Sequence, residues 1–229
     1  MYINVLDRWD AHRAKRGESK KTVSPFSLSG HLISSDTSAE IDISSFCEEA
    51  VKLRKDINFF ELPTDYSQKM TLRSDCLSFS SPIQSDIQAN NIAHCKITSS
   101  LAPRKAIVFF HHWNATRRQK HLAKYFSKRG FTVVEMTLPY HFERQDPTST
   151  HADYMLGANL GLTLQSMRQA VLEARSLIGW LKTQGYEVDR FLAVFERSLE
   201  IVEPLLPPNF ALAATAAAEH YTAIMAAGN

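Results

Sequence analysis

The 229-residue chain is poor in cysteine, in glycine and in net charge, and each shortage narrows what it can be. Its three cysteines, Cys47, Cys76 and Cys95, are too few and too scattered for a disulfide framework, and none are in Cys-x-x-Cys spacing. Free thiols in a reducing, cytoplasmic setting are the expectation. A formal net charge of +2 gives no field that would favour nucleic acid or an anionic membrane as partner. No secretory h-region follows the polar, basic stretch from Met1 to Lys21, and Asp7, Asp10 and Glu18 argue against a mitochondrial presequence. Glu219 and His220 interrupt the most apolar stretch, Phe210 to Ala227, so no transmembrane segment is expected. Internal repeats are also missing.

What remains is the composition of an ordinary globular protein, 44% hydrophobic and 22% charged, long enough for one sizeable domain with an extension. The early chain is rich in Ser and Thr. A first helix is expected over Ser45–Lys55, with Ser44 or Ser45 as cap, Glu48 completing it, and Phe46, Ala50, Val51 and Leu53 on one face. Leu72–Phe79 and Ala93–Ile97 read as two antiparallel strands separated by the turn signals Ser81-Pro82 and Asn90-Asn91.

The pattern then becomes regular. Lys105–Phe110 is a compact apolar strand, Arg117–Arg129 an amphipathic helix stopped by Gly130, and Phe131–Thr137 a second strand. A polar loop from Tyr140 to His151 follows. A long helix is expected from about Asn159 to Thr183, stopped at Gly185, with Leu164, Met167, Val171, Leu172, Ile178 and Leu181 facing inward. Strand, helix, strand, long helix is the order of an α/β fold with parallel strands covered on both faces. Val188 to Val202 has apolar residues at helical period, Pro204, Pro207 and Pro208 end that run, and an alanine-rich helix is expected from Phe210 to Ala226.

Two clusters carry candidate chemistry. His111-His112-Trp113-Asn114-Ala115 follows one strand directly, where backbone N–H groups at a strand-to-helix turn can point at a developing oxyanion. Leu138-Pro139-Tyr140-His141-Phe142-Glu143-Arg144 follows the next strand. Ligands of open α/β sheets bind at the carboxyl ends of strands, which puts both clusters on the binding edge. The competing reading is packing: histidines and a tryptophan can simply cap a strand end. Trp113, Tyr140 and His141 are the residues expected to line a pocket. Arg144 either holds an anion or makes a surface pair with Glu143 or Asp146, the commoner case.

These residues resemble one branch of the α/β-hydrolase domain-containing proteins. The resemblance runs through His-His-Trp-Asn-Ala, Leu-Pro-Tyr-His with Arg144, Ala152-Asp153-Tyr154-Met155, and the helix Arg168 to Arg175, with Ser80-Ser81-Pro82, Asn90-Asn91 and Ala93-His94 earlier. It covers roughly residues 1–186. It implies a doubly wound sheet, a serine hydrolase of acyl or lipid esters, and an oxyanion side at Trp113–Asn114. The sequence departs from that pattern after Gly185-Tyr186, where a strand and a Gly-x-Ser-x-Gly elbow should follow. No such motif occurs, and Ser198, the sole serine beyond Ser176, sits in a helical pattern.

The tail, from Leu206 through Glu219-His220-Tyr221-Thr222-Ala223, is similar to the last helix of a family of metal-dependent hydrolases with ferritin-like bundles. There Glu219 and His220 would be candidate ligands for iron, manganese or zinc. Adjacent helix residues point about 100° apart, and no Glu-x-x-His occurs, so a polar notch on a packing helix is the simpler reading.

The expectation is therefore a truncated α/β-hydrolase-like domain over 1–186 and a two-helix extension over 187–229. Its function would be that of a hydrolase relative without a complete triad. A non-catalytic interaction or remnant fusion protein, oligomeric through an uncovered sheet edge, is the first alternative. A metal-dependent hydrolase is the second.

Overall fold

The computed structural model describes residues 8, 11–12, 25–33, 40–64, 66, 69–101, 105–111, 113, 115–149 and 152–187. The helices expected over 188–203 and 210–226 lie outside the described residues, as do Glu219 and His220.

The fold is mixed α/β, built on a five-stranded sheet of order β1-β2-β3-β5-β4. Its strands are β1 (Thr71–Arg73), β2 (Cys76–Ser80), β3 (Ile92–Thr98), β4 (Lys105–Phe110) and β5 (Phe131–Met136). The first three pair antiparallel, β3 pairs antiparallel with β5, and β4 and β5 run parallel. The expected single strand over Leu72–Phe79 is corrected here: Ser74, at φ 55°, turns the chain with Asp75 and splits the run into a hairpin. An apolar run does not reveal a turn inside it when the left-handed residue is a serine rather than a glycine.

Among the described residues there are three α-helices: α1 (Ile43–Lys55), α2 (Lys120–Ser127) and α3 (Leu160–Thr183), of which α2 and α3 cover the two faces of the sheet. Helix α1 starts earlier than expected because Asp42, not Ser44 or Ser45, is the cap. Its carboxylate accepts from Ser44 N at 2.9 Å and Ser45 N at 3.1 Å. Phe46 is the buried residue of its face, and Val51 is half exposed. Helix α2 is shorter than the Arg117–Arg129 run. Arg117–Gln119 are non-helical, and Gly130, at φ 90°, ends the turn that follows the helix.

Alternation along β4 and β5 explains the two covered faces. Ala106, Val108, Val134 and Met136 pack with Leu77, Phe79, Ala93 and Cys95 against Ala174, Leu177 and Leu181 of α3. On the opposite face Phe109 meets Phe126 of α2, ring centroids 5.8 Å apart. Past the last turn of α3, Gly185 takes φ 81°, and Glu187 makes a parallel bridge with Lys105 at the free side of β4. Among the described residues no helix is long and apolar enough to cross a membrane.

Asn159 caps α3 by accepting from Leu162 N at 3.0 Å. The segment 25–33 is clamped to this start. Leu160 N donates to Ser27 O at 2.9 Å and Gly161 N to Leu28 O at 2.8 Å. A Cβ on Gly161 would lie 2.4 Å from Leu28 O and Ser29 O, so only glycine permits the approach.

Leu177 is fully buried at the centre of the main core. Leu177→Ala is expected to destabilise the protein by about 2–5 kcal/mol, read from the urea denaturation midpoint at unchanged slope.

Candidate functional site

The turns after β4 and β5 leave the same edge of the sheet, because the two strands are parallel neighbours. His111 follows β4, and Leu138 to Arg144 follows β5. The structure brings the two clusters together. The rings of His111 and His141 are 4.6 Å apart, and Phe142 lies 4.5 Å from His111. His111 Nε2 accepts from Leu138 N at 3.1 Å, which fixes it as a neutral imidazole at that nitrogen. His141 Nδ1 lies 2.8 Å from Pro139 O and donates to it. Both histidines are buried. His112 and Asn114 lie outside the described residues.

The turn around His141 is held in an unfavourable backbone shape. Tyr140 sits at φ 61° and Phe142 at φ 47°. A bulky residue in the left-handed region costs about 1–3 kcal/mol, so two within three residues persist only if the surroundings impose them. What imposes them is a buried polar network. The Arg144 guanidinium grips Glu173 of α3 bidentately, at 2.7 and 2.6 Å, with both side chains fully buried. It also donates to Thr137 O at 2.9 Å and Asn90 O at 2.6 Å. Asn90 Oδ1 accepts from Tyr140 N at 3.0 Å. Gln169 closes the ring: it takes Asn90 Nδ2 at 3.0 Å and donates to Glu173 at 3.0 Å and Ser81 Oγ at 2.9 Å.

Arg144 is thus no surface residue and pairs with neither Glu143 nor Asp146. That expectation failed because the partner is 29 positions away on α3, beyond any local rule. The start of the polar loop is inside the protein, with Tyr140, His141 and Arg144 buried, while Glu143, Pro147 and Thr148 are exposed. On the inner face of α3, Met167 and Ile178 pack against the core from half-buried positions, Leu164 is half-buried, and Ser166, Gln169, Glu173 and Ser176 join Val171, Leu172 and Leu181 inside.

Asn90, Gln169 and Glu173 are the residues that sequence reasoning missed. For Gln169 and Glu173 the signal was a polar stripe at positions 166, 169, 173 and 176, whose 3-4-3 spacing keeps it on one helix face; Asn90 read only as a turn residue. Read alone, such a stripe looks solvated.

Trp113 is 41% exposed, and its indole N–H donates to Ala152 O at 3.3 Å. Tyr154, from the same segment, lies against Tyr140 with ring centroids 5.6 Å apart. Burial raises the Tyr140 phenol above its ordinary pKa, so it stays a neutral donor. The rim therefore presents an exposed indole beside a packed aromatic floor. No protein-family model matches this chain, and no curated protein matches it.

A second group of charges lies behind the rim. Arg118 donates to Glu143 at 2.8 and 2.9 Å and to Thr137 Oγ1 at 2.7 Å, with its guanidinium 5.2 Å from the Phe142 ring centre. Burial pushes the Glu143 carboxyl upward, and the Arg118 bonds more than offset it, leaving it below the usual value. His94 is half-buried, and that burial holds its pKa down, against the pull of Glu143. Among the described residues no three His, Cys, Asp or Glu side chains converge as a metal site.

Glu173→Gln leaves Arg144 buried with its partner's negative charge removed and one of the two acceptor oxygens replaced by a donor. It is expected to cost about 3–5 kcal/mol by chemical denaturation. A double-mutant cycle with Arg144→Met should return a coupling of at least about 1 kcal/mol; additive losses would count against the pair as the clamp.

Proposed function

We propose that this chain is an α/β-hydrolase-type domain of the acyl- or lipid-ester class that keeps a ligand-binding rim and lacks the serine nucleophile. It binds acyl ligands and does not turn them over by the nucleophile-elbow route. One observation carries the reading. The sheet order puts β3 antiparallel beside β5, β4 parallel on the other side of β5 at the end of the sheet, and Glu187 in a parallel bridge to Lys105 on the free side of β4. That is the winding in which a further strand beside β4 would present a nucleophile above the turns at His111 and His141. The sequence after Glu187 contains no Gly-x-Ser-x-Gly.

The chemistry of the rim supports binding without turnover. A hydrolytic triad needs a base within hydrogen-bond reach of a nucleophile and an orienting acid. His111 instead accepts from Leu138 N of the neighbouring turn after β5, and His141 donates to Pro139 O within that turn. They are well placed to hold the turn. Trp113 and Tyr154, both partly exposed, offer flat apolar surfaces for an acyl chain, and the buried Tyr140 backs Tyr154 from beneath.

The test uses the full chain. A fluorophosphonate probe is expected to label no serine, and 4-nitrophenyl octanoate to be hydrolysed no faster than in buffer. Octanoate is expected to bind saturably by calorimetry. Trp113→Ala should weaken that binding by roughly tenfold while moving the unfolding free energy by less than about 0.5 kcal/mol, as for an exposed position. Specific labelling of one serine would overturn the inactive reading, and absence of octanoate binding would overturn the rim.

A further inference from the structure

The open face of the sheet, away from α3, carries a cavity of about 440 Å³ between β3 and α2. Its floor is Glu135 of β5, whose strand neighbour in register is Lys96. His94 and Thr98 continue the β3 wall, and Lys120 and Lys124, one helical turn apart on α2, form the other. The volume lies within the range of small-molecule sites, roughly 300–1,000 Å³.

Glu135 is the unusual member. It is only 4% exposed, in the middle of a strand. Its Oε1 accepts from Gln119 N at 2.9 Å. Its Oε2 has no side-chain or backbone partner among the described residues and is open to the cavity, where a bound molecule could replace solvent as its donor. The nearby guanidinium of Arg118 does not serve it: Arg118 donates to the Glu135 backbone carbonyl, to Thr137 and to Glu143. The floor of the cavity thus offers an accessible carboxylate oxygen to a ligand donor.

The wall offers the opposite charge. Lys96 is paired with Asp75 at 2.6 Å, whereas Lys120 and Lys124 make no ion pair among the described residues. Glu143 is neutralised by Arg118. Two unpaired ammonium groups one turn apart suit a dianion, and a phosphomonoester carries about −1.5 to −2 charges at pH 7. His94, with its protonated form disfavoured by burial, adds a neutral imidazole to the wall. An ammonium donor would have to be stripped of water to reach Glu135, at far greater cost than a hydroxyl.

We propose that this cavity binds a small hydroxylated phosphomonoester, its hydroxyl donating to Glu135 and its phosphate held by Lys120 and Lys124. The site adjoins the back of the rim turn through Arg118 and Glu143 but uses neither His111 nor His141.

The probe is sn-glycerol 3-phosphate, titrated into the full chain by calorimetry, with inorganic phosphate and glycerol as separate arms. Saturable binding of glycerol 3-phosphate is expected, at least tenfold tighter than inorganic phosphate, with none for glycerol. Glu135→Gln keeps an acceptor for Gln119 N–H and is expected to reduce that preference to less than threefold. The exposed double variant Lys120→Gln/Lys124→Gln should weaken binding at least tenfold with the fold unchanged by circular dichroism. No saturable binding of glycerol 3-phosphate, equal affinity for inorganic phosphate, or indifference to the lysine substitutions would each overturn the proposal.

Discussion

The buried ion pair between Arg144 and Glu173 joins the strand-end turn after β5 to the long helix beneath it, and the geometry of the rim follows from that junction. Both side chains are fully buried, and Arg144 also satisfies the carbonyls of Thr137 and Asn90. Two charges removed from water repay their desolvation only when the geometry is good and the remaining donors and acceptors are met. Here Gln169 and Asn90 complete the ring, so the network is satisfied at most of its points, with Arg144 Nε the exception. An apolar pair of equal volume could hold α3 against the sheet. It could not hold a tyrosine and a phenylalanine at positive φ while aiming the turn between them.

That constraint sets the order of the layers. The apolar face of α3 packs on alternate residues of β2 to β5, and the polar stripe one step round the helix meets the turn and Asn90. The same helix therefore supplies hydrophobic burial along the sheet and polar positioning at its edge. The opposite face is less filled. Helix α2 covers β4 and β5 through Phe126, and beyond it the sheet carries Lys96, His94 and Glu135 around an open cavity. One face is built for packing and the other retains unspent charge.

The regular part of the fold was legible. Lys105–Phe110, Phe131–Met136 and Leu160–Thr183 stand close to where apolar run length, helical period and the stop at Gly185 put them. The start of α1 and the split between β1 and β2 were misplaced, because a cap or a turn is decided by one side chain, Asp42 or Ser74, among several plausible ones. The candidate site was legible as two clusters at strand ends. Which side chains support them was not. Arg144 had near carboxylates in sequence at Glu143 and Asp146, and its actual partner is on another element.

By itself the sequence determined the α/β alternation, the strand-end location of His111 and His141, and the lack of a Gly-x-Ser-x-Gly nucleophile. These are matters of period, adjacency and motif, which are local. The tertiary structure decided that the two histidine clusters touch, that Arg144 is a buried clamp, and that Glu135 lines a cavity on the face of the sheet away from α3. Each depends on residues tens of positions apart meeting in a water-poor interior. There the cost of an unpaired polar group, not the character of any one segment, selects the partner.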